Sequence, residues 1–206
     1  MKSCLLIPTA IFFYFHSAAQ VPKTVSDCTI SFTVKSSGSQ NANEFTGASK
    51  TIYIRGKEIR TDLVSSQINQ TIFYNSNTGQ ATVLKEVGQS KYISHYDAAE
   101  WEKENEMYKV KQFDPTGATQ NILNYECKEA ILQLKNGNSY TIYYTPEIIP
   151  SVTENPFEFK DVPGLVLKYQ TSVRYSKLEY TATKINFDPV PAYQFEIPKT
   201  GYRILH

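Results

Sequence analysis

The chain has 206 residues, 41% of them hydrophobic and 20% charged, and its 21 Lys and Arg balance 20 Asp and Glu. This composition is typical of one globular domain and excludes a disordered or fibrous protein. The near-zero net charge argues against nucleic acid or an anionic membrane surface as the partner. The chain is rich in Tyr and Phe, with fifteen and eleven residues, which favours pleated strands.

The first part of the chain has the layout of a secretory signal peptide. Lys2 precedes an apolar run from Leu5 to Phe15, and the small residues Ser17-Ala18-Ala19 stand before a cut at Gln20. Eleven helical residues span about 16 Å, which is too short for a bilayer core of about 30 Å. The run therefore predicts a cleaved signal rather than a membrane anchor.

The boundaries that follow are a signal peptide over residues 1–19 and a single antiparallel β domain over residues 20–206. Cys4 precedes the apolar run instead of following it, so there is no lipobox. No other apolar stretch approaches the eighteen residues typical of a transmembrane helix. We expect the mature protein to be soluble and either periplasmic or secreted.

The first predicted strand runs from Cys28 to Lys35 and alternates cleanly. Cys28, Ile30, Phe32 and Val34 share one face, and polar residues take the other, which is typical of a half-buried strand. Turn residues separate five further predicted strands, at Thr51–Ile54, Lys57–Val64, Ile68–Tyr74, Ala81–Val87 and Lys91–His95.

One helix is predicted after these strands. Asp97 can cap it, and Glu100 three residues later completes a capping box. Ala98, Trp101 and Tyr108 belong to a narrow stripe that could lie on a sheet. The opposite face is rich in Glu and Lys. It indicates a solvated surface rather than a metal or acid–base cluster, because no His or Asp stands at ligand spacing among them.

Two hairpins are predicted in the second half. Asn136-Gly137 joins a strand at 125–135 to one at 139–145, and a long hairpin pairs 165–173 with 176–187. Alternation slips near Lys128-Glu129, which indicates two-sided burial or a bulge. It slips again after Ala182 in the last arm.

The predicted fold is mostly β: a curved antiparallel sheet or open half-barrel of about nine to eleven strands, with one helix on the concave side. Short connections favour a meander, and so many strands twist too much to stay flat. Alternation places an apolar set on the concave face, namely Ile30, Phe32, Val34, Leu165, Leu167 and Tyr169.

Nothing in the sequence forms a recognisable active site. His95 and His206 are the two His residues of the predicted mature chain, and there is no CxxC, phosphate loop or GxSxG elbow. We therefore expect no catalytic residues, metal or cofactor. Cys28 and Cys127 remain as two thiols in an oxidising compartment. A disulfide between them is favoured, and two buried free thiols are the alternative.

Five stretches of the chain carry a resemblance to one known family. They are TIYIRGKEIRTDL at 51–63, TIFYNSNTGQATVLKEVGQSKYI at 71–93, YECKEAILQLKNGNSYTIYYTPEI at 125–148, DVPGLV at 161–166 and ATKINFDPVPAYQFEIPKTGYRIL at 182–205. In this order they resemble the GLPGLI family of exported Bacteroidetes-type proteins and neighbouring families of unknown function.

The family signature is only partly kept in this chain. Asp161-Val162 stand in place of the first Gly-Leu and Val166 in place of the final Ile, which leaves Pro163-Gly164-Leu165. Pro163 fixes φ and Gly164 permits a sharp turn. We interpret the signature as a structural turn into the strand that starts at Leu165, rather than as a binding loop.

The resemblance implies an exported envelope protein, but no agreed biochemical role or catalytic residue. The family's architecture is similar to the lipoprotein-carrier fold, a half-barrel whose concave face can hold lipid. The inference of a lipid-holding face rests on this analogy between folds.

The functional hypothesis is an exported, non-enzymatic binding module of the cell envelope. Its expected partner is a lipid or other apolar small molecule, or an envelope protein. One alternative is a structural or protein-interaction module whose concave face is filled by its own side chains. A second alternative is carbohydrate binding through exposed Tyr, and the least favoured is hydrolysis by a pair of carboxylates. An empty apolar cavity of about 300 Å³ or more would favour a ligand.

Overall fold

The computed structural model describes residues 21–37, 45, 47–173 and 176–205, so the predicted signal peptide lies outside the described residues. The strands of this part are β1 (Lys23–Val25), β2 (Asp27–Ser37), β3 (Ser49–Arg55), β4 (Glu58–Val64), β5 (Ile68–Asn75), β6 (Ala81–Val87), β7 (Ser90–Tyr96), β8 (Val110–Ile122), β9 (Tyr125–Leu134), β10 (Ser139–Thr145), β11 (Ile148–Pro150), β12 (Leu165–Val173), β13 (Ser176–Asn186) and β14 (Arg203–Ile204). The helix α1 spans Ala98–Glu104, and 3-10 turns follow at Glu106–Tyr108 and Ala192–Phe195.

Twelve strands form one large curved sheet that does not close, which confirms the predicted mostly β class with one helix. Their order is β14-β7-β6-β5-β4-β3-β2-β13-β12-β10-β9-β8. Neighbours pair in antiparallel fashion except β14, which runs parallel to β7. The pair β2–β13 joins the two halves of the chain, and β1 and β11 form a separate parallel pair.

The ten strands located from the sequence are all present, and β8 and β14 complete the sheet. β8 escaped prediction because it is an edge strand exposed along most of its length, without an alternating apolar face. Its register against β9 shifts between Pro115 and Thr119, close to the slip predicted at Lys128-Glu129. β13 shifts against β2 between Ala182 and Lys184, where a change of parity was predicted.

The sheet has an inner face, which carries Ile30, Ile52 and Leu167, and an outer face, which carries Phe73 and Leu84. The main hydrophobic core covers the inner face from β4 through β13 to β9. A smaller cluster on the outer face packs Phe73, Leu84 and Ile93 against Tyr202 of the C-terminal segment, residues 187–205.

The capping segment, residues 151–162, closes the inner face without forming a strand. Asn155 Oδ1 accepts hydrogen bonds from the backbone N–H groups of Phe157 and Glu158, at 3.0 and 3.2 Å. This turn directs Phe159 inward, where it joins Val152 and Val162 in the core. The segment thus covers a face that would otherwise be apolar and open.

Helix α1 lies at the β7 end of the inner face. Asp97 accepts a hydrogen bond from the Glu100 backbone, and the Glu100 side chain accepts one from the Asp97 backbone, as the capping box predicted. Trp101 is half-buried against the Tyr96 ring, with centroids 5.3 Å apart. Tyr108 packs against the edge of the main core. The helix therefore turns its predicted side toward the sheet.

The predicted disulfide is corrected by the structure, in which both thiols are free and buried. Cys28 lies on β2 and Cys127 on β9, and three strands stand between them in the sheet. Four strand spacings of about 4.8 Å separate the two residues along the sheet, whereas a disulfide requires Cα atoms within about 7 Å. Burial raises the pKa of Cys28 to about 12 and that of Cys127 to about 11, so neither thiol is readily ionised.

Candidate functional site

The structure places the predicted apolar set on one buried surface. Its six members have exposed fractions of 0–7%: Ile30, Phe32, Val34, Leu165, Leu167 and Tyr169. The Phe159 ring of the capping segment stands edge-on to Tyr169, with centroids 5.2 Å apart. The space left there is about 20 Å³, which is room for about one water molecule. This part of the inner face is therefore filled by the protein itself.

The signature residues lie where the capping segment enters β12. Pro163 is exposed and Leu165 begins the strand. Gly164 has φ +155°, and a Cβ there would stand 2.8 Å from the carbonyl carbon of Thr145 and overlap its oxygen. Only glycine lets the two backbones approach so closely, which gives the signature a structural reason.

A charged side chain stands among these apolar residues. Lys50 on β3 shares the inner face with Ile52 and Ile54 and is only 7% exposed. Its Nζ contacts Glu154 Oε1 of the capping segment and donates to Tyr169 Oη at 2.5 Å. Tyr169 Oη in turn donates to Glu154 Oε1 at 3.1 Å, so the three groups form a closed triangle.

A second acid and three aromatic rings surround Lys50. Glu158 is 8% exposed, and burial raises its pKa to about 7 while the positive charge of Lys50 opposes that rise. Burial lowers the pKa of Lys50 to about 7, opposed by the charge of Glu158. The rings of Tyr180, Tyr169 and Phe32 lie 5.0, 5.1 and 6.0 Å from Nζ. We call Lys50, Glu154, Glu158, Tyr169 and Tyr180 the lysine cluster.

A cavity of about 160 Å³ adjoins the lysine cluster beneath α1. Its walls come from the inner face of β3 to β5, from α1 and from the capping segment. They are Lys50, Ile59, Thr61, Ile72, Tyr74, Trp101, Asn105, Glu154, Asn155, Pro156 and Phe157. Six of these side chains are apolar or aromatic and five are polar or charged. We call it the helix cavity.

Trp101 lines the helix cavity and carries a buried hydrogen-bond donor. Its indole Nε1 is buried and has no hydrogen-bond partner among the described residues. A buried N–H without an acceptor is costly, and because Nε1 is closed to solvent, no group that enters the cavity reaches it in this conformation. Trp101 is also the single tryptophan of the whole sequence.

Two other cavities flank the C-terminal segment on the outer face, with volumes of about 290 and 200 Å³. The larger is lined mostly by polar side chains. Arg60 is paired there with Asp62 at 2.8 Å and donates to the Gln194 carbonyl at 2.8 Å. Tyr202 Oη donates to Glu86 at 2.7 Å. These bonds hold the C-terminal segment on the sheet.

The lysine cluster was missed at the sequence level, although one signal for it was present. Lys50 precedes Thr51-Ile52-Tyr53-Ile54 and has the parity of the two isoleucines, which places a charge on an apolar face. The two acids offered no such signal, because they lie in a segment without regular alternation.

No protein-family model matches the chain, and no curated protein matches it. Among solved structures it is similar to the crystal structure of MucB, with 11% sequence identity and a TM-score of 0.39. The alignment covers 84% of this chain and 58% of the MucB chain, so this chain spans less than two thirds of that structure.

Within the described ranges, no helix is long and apolar enough to cross a membrane. The same ranges contain no group of three or more His, Cys, Asp or Glu placed to hold a metal ion.

Proposed function

We propose that the chain is an exported, non-enzymatic binding module of the bacterial cell envelope that holds a small molecule in the helix cavity. The proposal rests on the cavity, in which apolar side chains of the sheet and of α1 lie beside Lys50, Thr61 and Asn105. Such pockets are the usual sites of small-molecule binding in proteins. The signal-like N-terminus supports export, and the balanced charge supports a partner other than nucleic acid.

The geometry of the cavity defines the chemical class of the ligand. Ile59, Ile72 and Tyr74 offer apolar surface, and the hydrogen-bond donors of Lys50, Thr61 and Asn105 line the same cavity. At about 160 Å³ the cavity is smaller than the range of about 300–1,000 Å³ usual for drug-sized ligands. We expect a compact molecule with an apolar body and one acceptor group.

A long acyl chain on the predicted concave face fits the structure less well. The capping segment fills the surface of Ile30, Phe32 and Leu165 and leaves about 20 Å³. The proposed ligand therefore lies nearer α1 than the sequence alone placed it.

Tryptophan fluorescence tests the proposal directly, because Trp101 is the one reporter in the chain. The purified full chain is titrated with hexanoate, decanoate, benzoate and N-acetylglucosamine. We expect a saturable change in Trp101 emission with at least one of the three acids and none with the sugar. No saturable change with any of the acids would contradict the proposal.

A matched pair of variants on β5 locates the binding. Ile72→Arg places a charged side chain in the helix cavity and should abolish the saturable change. Asn69→Arg adds the same side chain to the outer face of the same strand, where residue 69 is exposed, and should leave it unaltered. Equal responses of the two variants would place the ligand elsewhere.

A protein-interaction module is the second candidate, and the filled inner face favours it. The surface that could have held a lipid is used as the module's own core. Exposed apolar side chains then mark where an envelope protein could bind, and Tyr193, Ile204 and Leu205 of the C-terminal segment are 63%, 61% and 47% exposed. Crosslinking in intact envelopes through residue 193 tests this candidate against the small-molecule proposal.

A further inference from the structure

The lysine cluster places an amine and a carboxyl group in contact inside the core. Lys50 Nζ and Glu154 Oε1 touch, and their side chains are only 9% and 12% exposed. We propose that these two side chains condense into an intramolecular isopeptide bond that joins β3 to the capping segment. This inference does not depend on the ligand proposed for the helix cavity.

Burial makes the neutral form of the pair accessible. An ammonium and a carboxylate are both disfavoured by loss of water, so transfer of one proton from Nζ to the carboxyl yields an amine beside a carboxylic acid at no change in total charge. The aromatic rings of Phe32, Tyr169 and Tyr180, on three neighbouring strands, lie 5.0–6.0 Å from the amine and shield its sheet side from water. The lowered pKa of Lys50 is consistent with this proton transfer.

The condensation balances without any further reagent. The lone pair of Nζ attacks Cδ of the protonated Glu154 carboxyl, an Nζ–Cδ bond forms and one Cδ–O bond breaks. The oxygen leaves as water after taking up the proton that Nζ loses, and nothing is oxidised or reduced. Groups held in contact react with effective molarities of about 10⁵–10⁸ M, which can offset the slowness of this reaction in solution.

Tyr169 is placed to carry the proton. Its Oη accepts from Lys50 Nζ at 2.5 Å and donates to Glu154 Oε1 at 3.1 Å, so it touches both reacting groups. Glu158 adds a second carboxyl group nearby, and burial raises its pKa to about 7. The released water can pass into the helix cavity, which Lys50 and Glu154 line.

Peptide mass spectrometry tests the bond in the wild-type full chain. If the protein contains no cross-link, trypsin releases peptides that end at Lys50 and at Lys160. With the bond, cleavage after Lys50 is blocked, and peptide 36–55 remains joined to peptide 136–160. We expect a species with the summed mass of these two peptides less one water, and its fragments should assign the link to residues 50 and 154.

Variants separate the bond from a mere ion pair. Lys50→Arg keeps the positive charge but lacks the amine, and Glu154→Ala lacks the carboxyl, so both should lose the joined species completely. Tyr169→Phe removes the proton carrier and should lower the joined fraction of freshly refolded protein at least tenfold. Lys168→Arg alters a half-buried ion pair with Glu179, 3.5 Å apart, and should leave the joined fraction unchanged.

The wild-type digest decides the question even if the variants fail to fold. Free peptides ending at Lys50 and Lys160, with no joined species, would show an ion pair only and overturn the proposal. A joined species that persists in Glu154→Ala and disappears in Glu158→Ala would overturn the assignment to Glu154. Loss of ligand binding leaves these masses unaltered, so the two proposals fail independently.

Discussion

Replacing Phe159 by alanine tests whether the capping segment is part of the core. Phe159 is 3% exposed and lies edge-on to Tyr169 in the main cluster. Truncating a buried Phe to Ala costs about 3–5 kcal/mol, because both the transfer energy and a cavity penalty are incurred. For a domain of this size each kcal/mol lowers Tm by about 2–4 °C, which gives a decrease of about 6–20 °C.

The assay is urea unfolding followed by circular dichroism, supported by a thermal melt. Phe157→Ala is the matched control, since Phe157 lies two residues away in the same segment but is half-buried in the wall of the helix cavity. We expect it to cost about 1–2 kcal/mol. The void left by Phe159→Ala adjoins the remaining 20 Å³ and should bind a small apolar probe such as benzene.

Equal stability of the two variants would contradict a core position for Phe159. If Phe159→Ala unfolds within about 1 kcal/mol of the wild type, the capping segment contributes little to the core. The inner face would then be open in solution, and lipid binding there would again be the better hypothesis.

Three further predictions concern the signature, the helix cap and the buried acid. Gly164→Ala should lower the free energy of unfolding in urea by about 2–4 kcal/mol, because the added Cβ meets the Thr145 carbonyl. Gly137→Ala, which has open space around it, should cost less than half as much. Similar costs for the two variants would disprove the close approach. Asp97→Ala should cost about 0.5–2 kcal/mol through the lost cap, and an unchanged urea midpoint would contradict the capping role. Glu158 has a folded pKa of about 7 against an ordinary value of 4.5, so its contribution of at most about 3 kcal/mol is fully present below pH 4.5 and is lost as pH rises through 7. The wild type should therefore lose more stability between pH 5 and 8 than Glu158→Gln does, and parallel pH profiles would exclude the raised pKa.

The strands with clear alternation were predicted from the sequence because their physics is local. Cys28, Ile30 and Phe32 alternate with polar residues, and Asn136-Gly137 demands a tight turn, so β2 and the β9–β10 hairpin follow directly. The long strand β8 could not be found in this way. It is held by backbone pairing to β9 at the sheet edge, and that pairing leaves no pattern in its side chains.

The candidate site was predictable only in part. The parity of Lys50 was a signal that the sequence analysis did not use, and its partners come from more than 100 residues away along the chain. The turn that brings Glu154 and Glu158 onto the inner face depends on Asn155 and on packing of Phe159. Such contacts arise from tertiary structure, which single-sequence patterns do not encode. The absent disulfide has the same origin, because strand order separates the two cysteines.

Native mass spectrometry of the full-length protein purified from the envelope of cells that express it tests the proposed binding function most directly. We expect a native mass that exceeds the denatured mass by one small ligand. Ile72→Arg obstructs the helix cavity and should remove this excess mass, whereas Asn69→Arg should retain it. Identical native and denatured masses in the wild type, or an excess that survives Ile72→Arg, would contradict a ligand in the helix cavity.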